Sequence, residues 1–212
     1  MIKATSLLSI LAIWIATIIA VAISPGAWWI IIFAFVSTGA IGVSAWRRLG
    51  IARVVAIAGI WAGLAIAVGF EQDAAWACIF AFLSTGAIVY SGMRRDAVVL
   101  GLGIAAPWLV LGVLVAHNGA DVTWACVFAF LTAGGLANSH GNVTRGAIAI
   151  AWWVAAGVVI FAAGAGWTWL CVPAFLLSEA SLGFSDIHLP RGIEWDLFER
   201  KHEPDDDSRW VN

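Results

Sequence analysis

Trp76-Ala77-Cys78-Ile79-Phe80-Ala81-Phe82-Leu83-Ser84-Thr85-Gly86 carries no charge and no proline, and its small residues Ala77, Ala81 and Thr85 fall four apart. At 3.6 residues per turn, that spacing lines them up on one face of a helix. The stretch recurs as Trp29-Ile-Ile-Ile-Phe33-Ala-Phe35-Val-Ser37-Thr38-Gly39 and as Trp124-Ala-Cys126-Val-Phe128-Ala-Phe130-Leu-Thr132-Ala133-Gly134. A fourth copy, Trp169-Leu-Cys171-Val-Pro173-Ala-Phe175-Leu-Leu-Ser178-Glu179, exchanges a phenylalanine for Pro173 and the glycine for Glu179. The four leading tryptophans lie 47, 48 and 45 residues apart, and a second set, Trp14, Trp61, Trp108 and Trp153, keeps spacings of 47, 47 and 45. Two markers sharing one period point to a tandem repeat.

Outward from these stretches the chain stays apolar. Of its 212 residues 62% are hydrophobic and 11% charged, with a mean hydropathy of +0.95, outside the balance of a water-soluble domain. Runs of about 17 to 20 residues suffice to cross a hydrocarbon core of about 30 Å at 1.5 Å per residue. Such runs fall at 4–23, 27–46, 51–69, 75–93, 97–116, 122–138, 147–164 and 168–184. Joints as short as Ser24-Pro25-Gly26 make consecutive helices antiparallel neighbours. The expected fold is an all-α polytopic membrane protein: eight transmembrane helices arranged as four tandem parallel two-helix hairpins. The hairpins cover about 4–48, 51–95, 97–140 and 147–185, and a polar tail covers 186–212.

Loop charge orients the spans, because Lys and Arg are retained on the cytoplasmic side during insertion. Lys3 precedes the first span; Arg47, Arg48 and Arg53, then Arg94 and Arg95, then Arg145 flank every second joint, and Arg191, Arg200, Lys201 and Arg209 follow the last. The opposite joints carry Glu71, Asp73 and Asp121. Both termini are therefore expected in the cytoplasm, with the protein in the cell membrane. The first apolar run exceeds the ~7 to 15 residues of a signal-peptide core and belongs to the first repeat, so it is expected to be retained.

Enzymatic roles find no support. There is no nucleophile paired with a base within the spans, no histidine pair for haem, no lysine in a span for a Schiff base and no glycine-rich phosphate loop. Cys78, Cys126 and Cys171 sit in apolar runs and behave as small hydrophobes. His117, His140, His188 and His202 are too scattered for a metal set. No cofactor and no nucleic-acid partner is expected; the partners are the lipid bilayer and, through the tail, another membrane protein or a basic cytoplasmic protein.

The candidate intramembrane site is Glu179 with Ser178 and Pro173. Glu179 is the only carboxylate within a predicted span, and a carboxylate there costs about 2.5 kcal/mol or more at the bilayer centre. It lies about four residues from the cytoplasmic end of its span, within reach of water or of an arginine such as Arg145. Pro107 and Pro173 each remove a helical hydrogen bond and are expected to bend their helices. Trp14, Trp61, Trp108 and Trp153 are deep enough that each indole N–H needs an internal acceptor or a ligand cavity. The other tryptophans, Trp28, Trp29, Trp46, Trp76, Trp124, Trp167 and Trp169, lie near span ends and suit a headgroup belt. Ile193 to Lys201 reads as a short amphipathic helix, and the acidic run Asp205-Asp206-Asp207 follows it.

Ala106-Pro107-Trp108, with the lone tryptophans at Ile13-Trp14, Ile60-Trp61 and Trp152-Trp153, resembles the SPW-repeat membrane proteins over most of residues 4–184. That resemblance implies a membrane location and a two-helix repeat rather than a mechanism. Two functions compete: a non-catalytic scaffold or accessory subunit of a membrane complex, and a small transporter or channel for protons, ions or a small solute that uses Glu179.

Overall fold

A backbone placed in hydrocarbon must satisfy its own N–H and C=O groups, and the helix does so within one segment. The structure is a computed structural model that describes residues 4–43, 50–91, 97–139 and 143–186, with side chains as far as residue 180. Among them every regular element is helical: α1 (Ala4–Ile23), α2 (Ile30–Val43), α3 (Ile51–Phe70), α4 (Cys78–Tyr90), α5 (Val98–Asn118), α6 (Cys126–Ala137), α7 (Val143–Ala163) and α8 (Cys171–Asp186). Short 3₁₀ segments at Pro25–Ala27, Gln72–Ala77, Ala120–Ala125 and Ala165–Leu170 lead into the even-numbered helices.

Six stretches are long and apolar enough to cross a membrane: α1, α3, α5, α7 and, with their 3₁₀ leads, Gln72–Tyr90 and Ala120–Ala137. The sequence leads one to expect eight. Of the remaining two, α2 with 14 residues is apolar but shorter, and α8 has 16 residues and ends in polar ones. At 1.5 Å per residue α2 covers about 21 Å, and residues 44–49, which follow it, lie outside the described residues. The same holds for Lys3, Trp46, Arg47, Arg48, Arg94, Arg95, His140 and everything read from the tail beyond Asp186. The chain divides into one unit at 1–182 and another at 183–212.

The odd-numbered helices pack in chain order, α1 on α3, α3 on α5 and α5 on α7. Glycine allows the closest of these approaches. A methyl group at Gly59 would meet Ala105, one at Gly63 the Trp108 carbonyl, one at Gly101 the Ala52 carbonyl and one at Gly112 the Gly63 carbonyl. The partners ascend together along both helices, so α3 and α5 run parallel. Gly103 against Gly146 and Gly157 against Val110 make the same case for α5 and α7. In lipid, where apolar burial gives little drive for helices to associate, this close fit is what small residues supply.

The even-numbered helices form a second row, α2 on α4 and α4 on α6, joined by rings and small residues. Phe33 meets Phe82 at 6.0 Å, Phe80 meets Phe130 at 5.8 Å and Phe128 meets Phe175 of α8 at 5.6 Å between ring centroids. Just ahead of each of α2, α4 and α6 a tryptophan sets its edge against the phenylalanine four residues on, as in Trp76 against Phe80. Ala34, Ala81 and Ala129 are fully buried behind these rings.

The connections are not all alike. Gly119 and Gly164, which follow α5 and α7, have φ of +83° and +90°, a left-handed conformation that glycine adopts without steric cost. Glu71, which follows α3, has φ −133° instead. The glycine turns accommodate one extra residue, which is why Trp108 and Trp124 lie sixteen apart where Trp61 and Trp76 lie fifteen apart.

Gly63→Ala is expected to destabilise the protein in detergent by about 1 to 3 kcal/mol, the usual range for overpacking. Gly39→Ala, at a glycine with nothing within 4 Å of an added methyl, leaves thermal unfolding unchanged. Equal melting of the two variants would contradict the packing described for α3 and α5.

Candidate functional site

Three of the four deep tryptophans bond to a hydroxyl on the opposite row. Trp14 Nε1–H donates to Thr38 Oγ1 and Trp61 Nε1–H to Thr85 Oγ1, each at 3.1 Å, and Trp153 Nε1–H donates to Thr132 Oγ1 at 3.2 Å. Thr38 and Thr85 pass their own protons to the Ala34 and Ala81 carbonyls one turn back. The threonine thus serves one helix as donor and the neighbouring helix as acceptor. For these three indoles the internal acceptor is present.

Trp108 is the exception. Its Nε1 is buried and without a hydrogen-bond partner. The position that Thr38 and Thr85 occupy in their helices holds Ala133 in α6, which has no oxygen to offer. Ser37 and Ser84, one residue before those threonines, also have buried hydroxyls without partners. Thr132, the counterpart of these serines, accepts from Trp153 of the following hairpin rather than from its own. The row of hydroxyls therefore has two alternate registers, and the third hairpin uses neither for its own indole.

The last helix holds the other candidates. Pro173 is the third residue of α8, in its first turn, and follows without a break from the 3₁₀ segment Ala165–Leu170. Ser178 is buried and donates to the Ala174 carbonyl at 2.7 Å. Glu179 is half-buried, and its carboxylate lies against Gly135 of α6, where a methyl group would collide with both oxygens. The residues at the place of Gly135 in α2 and α4 are Ala40 and Ala87. Where α8 gains a carboxylate, α6 loses the methyl that would displace it.

Arg145 is the charge that attracts the Glu179 carboxylate, yet Oε1 is buried without a hydrogen-bond partner. Arg145 is itself buried, in the first turn of α7, which begins at Val143 rather than at 147 as the hydropathy suggests. Arg53 holds the same place in α3, also buried, and donates from Nη2 to the Ser91 carbonyl beyond the end of α4 at 2.8 Å. Reading the sequence for loop charge assigns both arginines to joints and misses their burial. The signal was there in the register, since each precedes its deep tryptophan by eight residues.

The other side of the bundle offers His117, at the end of α5, stacked on Phe161 of α7 with 4.1 Å between centroids. Among the described residues no three metal-ligating side chains converge, and the three cysteines are buried apart from one another. The geometry therefore brings Glu179, Ser178, Gly135 and Arg145 to one end of the last hairpin. It leaves the deep tryptophans spread along the odd-numbered row. No family model matches the chain, and comparison with curated proteins and with solved structures finds no match.

Thr85→Val keeps the shape and removes the acceptor of Trp61, and should cost about 0.6 to 1.7 kcal/mol, the span measured for hydrogen bonds between membrane helices. Unfolding in a mild detergent measures it, and no loss would mean the bond contributes nothing. Gly135→Ala is expected to destabilise, and Glu179→Gly to restore most of the loss. A double-mutant cycle in which the two changes simply add would separate the residues.

Proposed function

We propose that this protein is a non-catalytic scaffold or accessory subunit of a complex in the plasma membrane. In this reading eight helices span the bilayer as four tandem parallel hairpins, with both ends in the cytoplasm, an arrangement like that of the SPW-repeat proteins. The recurring indole–hydroxyl bonds and phenylalanine pairs support the repeat, and the arginines gathered on alternate joints support the orientation.

The observation that carries the function is the dry interface of α3 and α5. Glycine and carbonyl groups meet there backbone to backbone, leaving no lumen between the helices at the middle of the row. The grooves at α1–α3, α5–α7 and α7–α8 are lined by apolar side chains, and none of them includes Glu179. A fold whose tightest packing is at its centre is suited to hold a shape and present surfaces. The acidic tail, with Asp205, Asp206 and Asp207, is the surface suited to a basic partner.

One observation favours a second reading, a small transporter or channel. Glu179, on α8, keeps a buried oxygen without a hydrogen-bond partner. An intramembrane carboxylate in that condition is how proton and cation pathways are often built.

Proteoliposomes decide between them. The scaffold predicts no flux of protons, potassium or sodium above empty vesicles, and loss of a co-purifying membrane partner when residues 187–212 are deleted. Flux that Glu179→Gln abolishes would establish the transporter, and full recovery of every partner after the deletion would overturn docking through the tail.

A further inference from the structure

The bonded indoles of the odd-numbered row use two places on the even-numbered row. Trp14 and Trp61 donate to Thr38 and Thr85, on the even helix of their own hairpin; Trp153 donates to Thr132, one place earlier in the motif, on the even helix of the preceding hairpin. For Trp108 of α5 those two places hold Ala133 of α6 and Ser84 of α4. The three helices meet there. Phe80 and Phe130, whose ring centroids are 5.8 Å apart, lie about one turn before Ser84 and Ala133, and α5 packs on α6. Trp108, Ser84 and Ala133 are all fully buried, and neither Trp108 Nε1 nor Ser84 Oγ has a hydrogen-bond partner.

The second hairpin shows what Trp108 lacks. Thr85 Oγ1 accepts from the Trp61 indole at 3.1 Å and donates to the Ala81 carbonyl at 2.8 Å. Ala129 stands in α6 where Ala81 stands in α4, and it is fully buried. Ala133 has neither the hydroxyl nor the methyl of threonine, two groups that together occupy about the ~30 Å³ that one water takes in the liquid. A buried water is held where two to four polar groups converge on it. The Trp108 N–H, the Ser84 hydroxyl and the Ala129 carbonyl make three. A buried donor and a buried acceptor left unmade forfeit bonds that water supplies in the unfolded chain, whereas immobilising one water costs less than that loss.

We propose that Trp108, Ser84 and Ala129 form a binding site for a single water molecule, at the place where α2 and α4 carry a threonine hydroxyl. The water accepts from Trp108 Nε1–H and donates to the Ala129 carbonyl and to Ser84 Oγ. It thereby joins the second hairpin to the third through a bond that the other hairpins make with a side chain. The site rests on the repeat and on burial alone, so it stands whether the protein is a scaffold or a transporter.

The test substitutes Ala133 in the full chain and follows melting in detergent. Ala133→Thr supplies the hydroxyl in place of the water and should raise the melting temperature by about 2 to 4 °C. Ala133→Val takes up the same space without an oxygen, leaves Trp108 unpaired and should lower it. Nuclear magnetic resonance of the indole N–H groups reads the water itself, with the Trp108 signal assigned by its loss in Trp108→Phe. In the wild type that N–H should show cross-relaxation with water, which persists in Ser84→Ala and disappears in Ala133→Thr. A lower melting temperature for Ala133→Thr, or equal melting of the threonine and valine variants, would mean that side chains fill the place, and would overturn the site. Absence of the cross-relaxation in the wild type would overturn it too, and its loss in Ser84→Ala would replace the water with a direct bond from Trp108 to Ser84.

Discussion

Where Gly63 of α3 meets the Trp108 carbonyl of α5, two helices touch backbone to backbone, and much of the arrangement follows from that approach. Lipid tails are as apolar as leucine, so membrane helices gain little by hiding apolar surface from them. What remains is dispersion over a close fit, and dispersion falls steeply with distance. Glycines on both helices bring α3 and α5 into such contact over three turns, and the same economy of side chains joins α5 to α7. In the second row phenylalanines rather than glycines fill the space between helices, while Trp61, Trp108 and Trp153 are buried on the first.

That division leaves polar side chains only narrow places. The hydroxyls that meet indoles sit on the even-numbered row, where Thr38 and Thr85 answer both their own helix and an indole from the other row. Arginines sit buried in the first turns of α3 and α7, and Arg53 reaches the Ser91 carbonyl beyond the end of a neighbouring helix. Glu179 has a place because Gly135 yields one. In each case the polar group is accommodated by a neighbour that is smaller than, or complementary to, its counterpart elsewhere in the chain.

Helical class and membrane location were legible from composition and run length, because a twenty-residue apolar stretch has few other stable states. The pairing of Trp14 with Thr38 was half legible: the need for an acceptor could be stated, but its identity depends on how two helices rotate against each other, which period alone does not specify. Span ends were the least legible. Hydropathy begins α7 at 147 because Arg145 reads as loop, whereas the helix extends outward to Val143 and takes the arginine with it. The missing partner of Trp108 was legible in the repeat, since Ala133 stands where Thr38 and Thr85 stand, but the turn of Thr132 toward Trp153 was not. Glu179 stood out at once, as a charge in an apolar run does, but Gly135 beneath it did not, since a glycine beside a glycine draws no notice.

The phenylalanine pairs also give the row a direction. Phe33, Phe80 and Phe128 each reach forward to the ring on the next even-numbered helix, so every step is a head-to-tail contact. In α8 the residue that would reach forward is Pro173, which has no ring to offer. Another hairpin, or the first hairpin of a second molecule, would meet at that place on α8 a proline where α2, α4 and α6 present a ring.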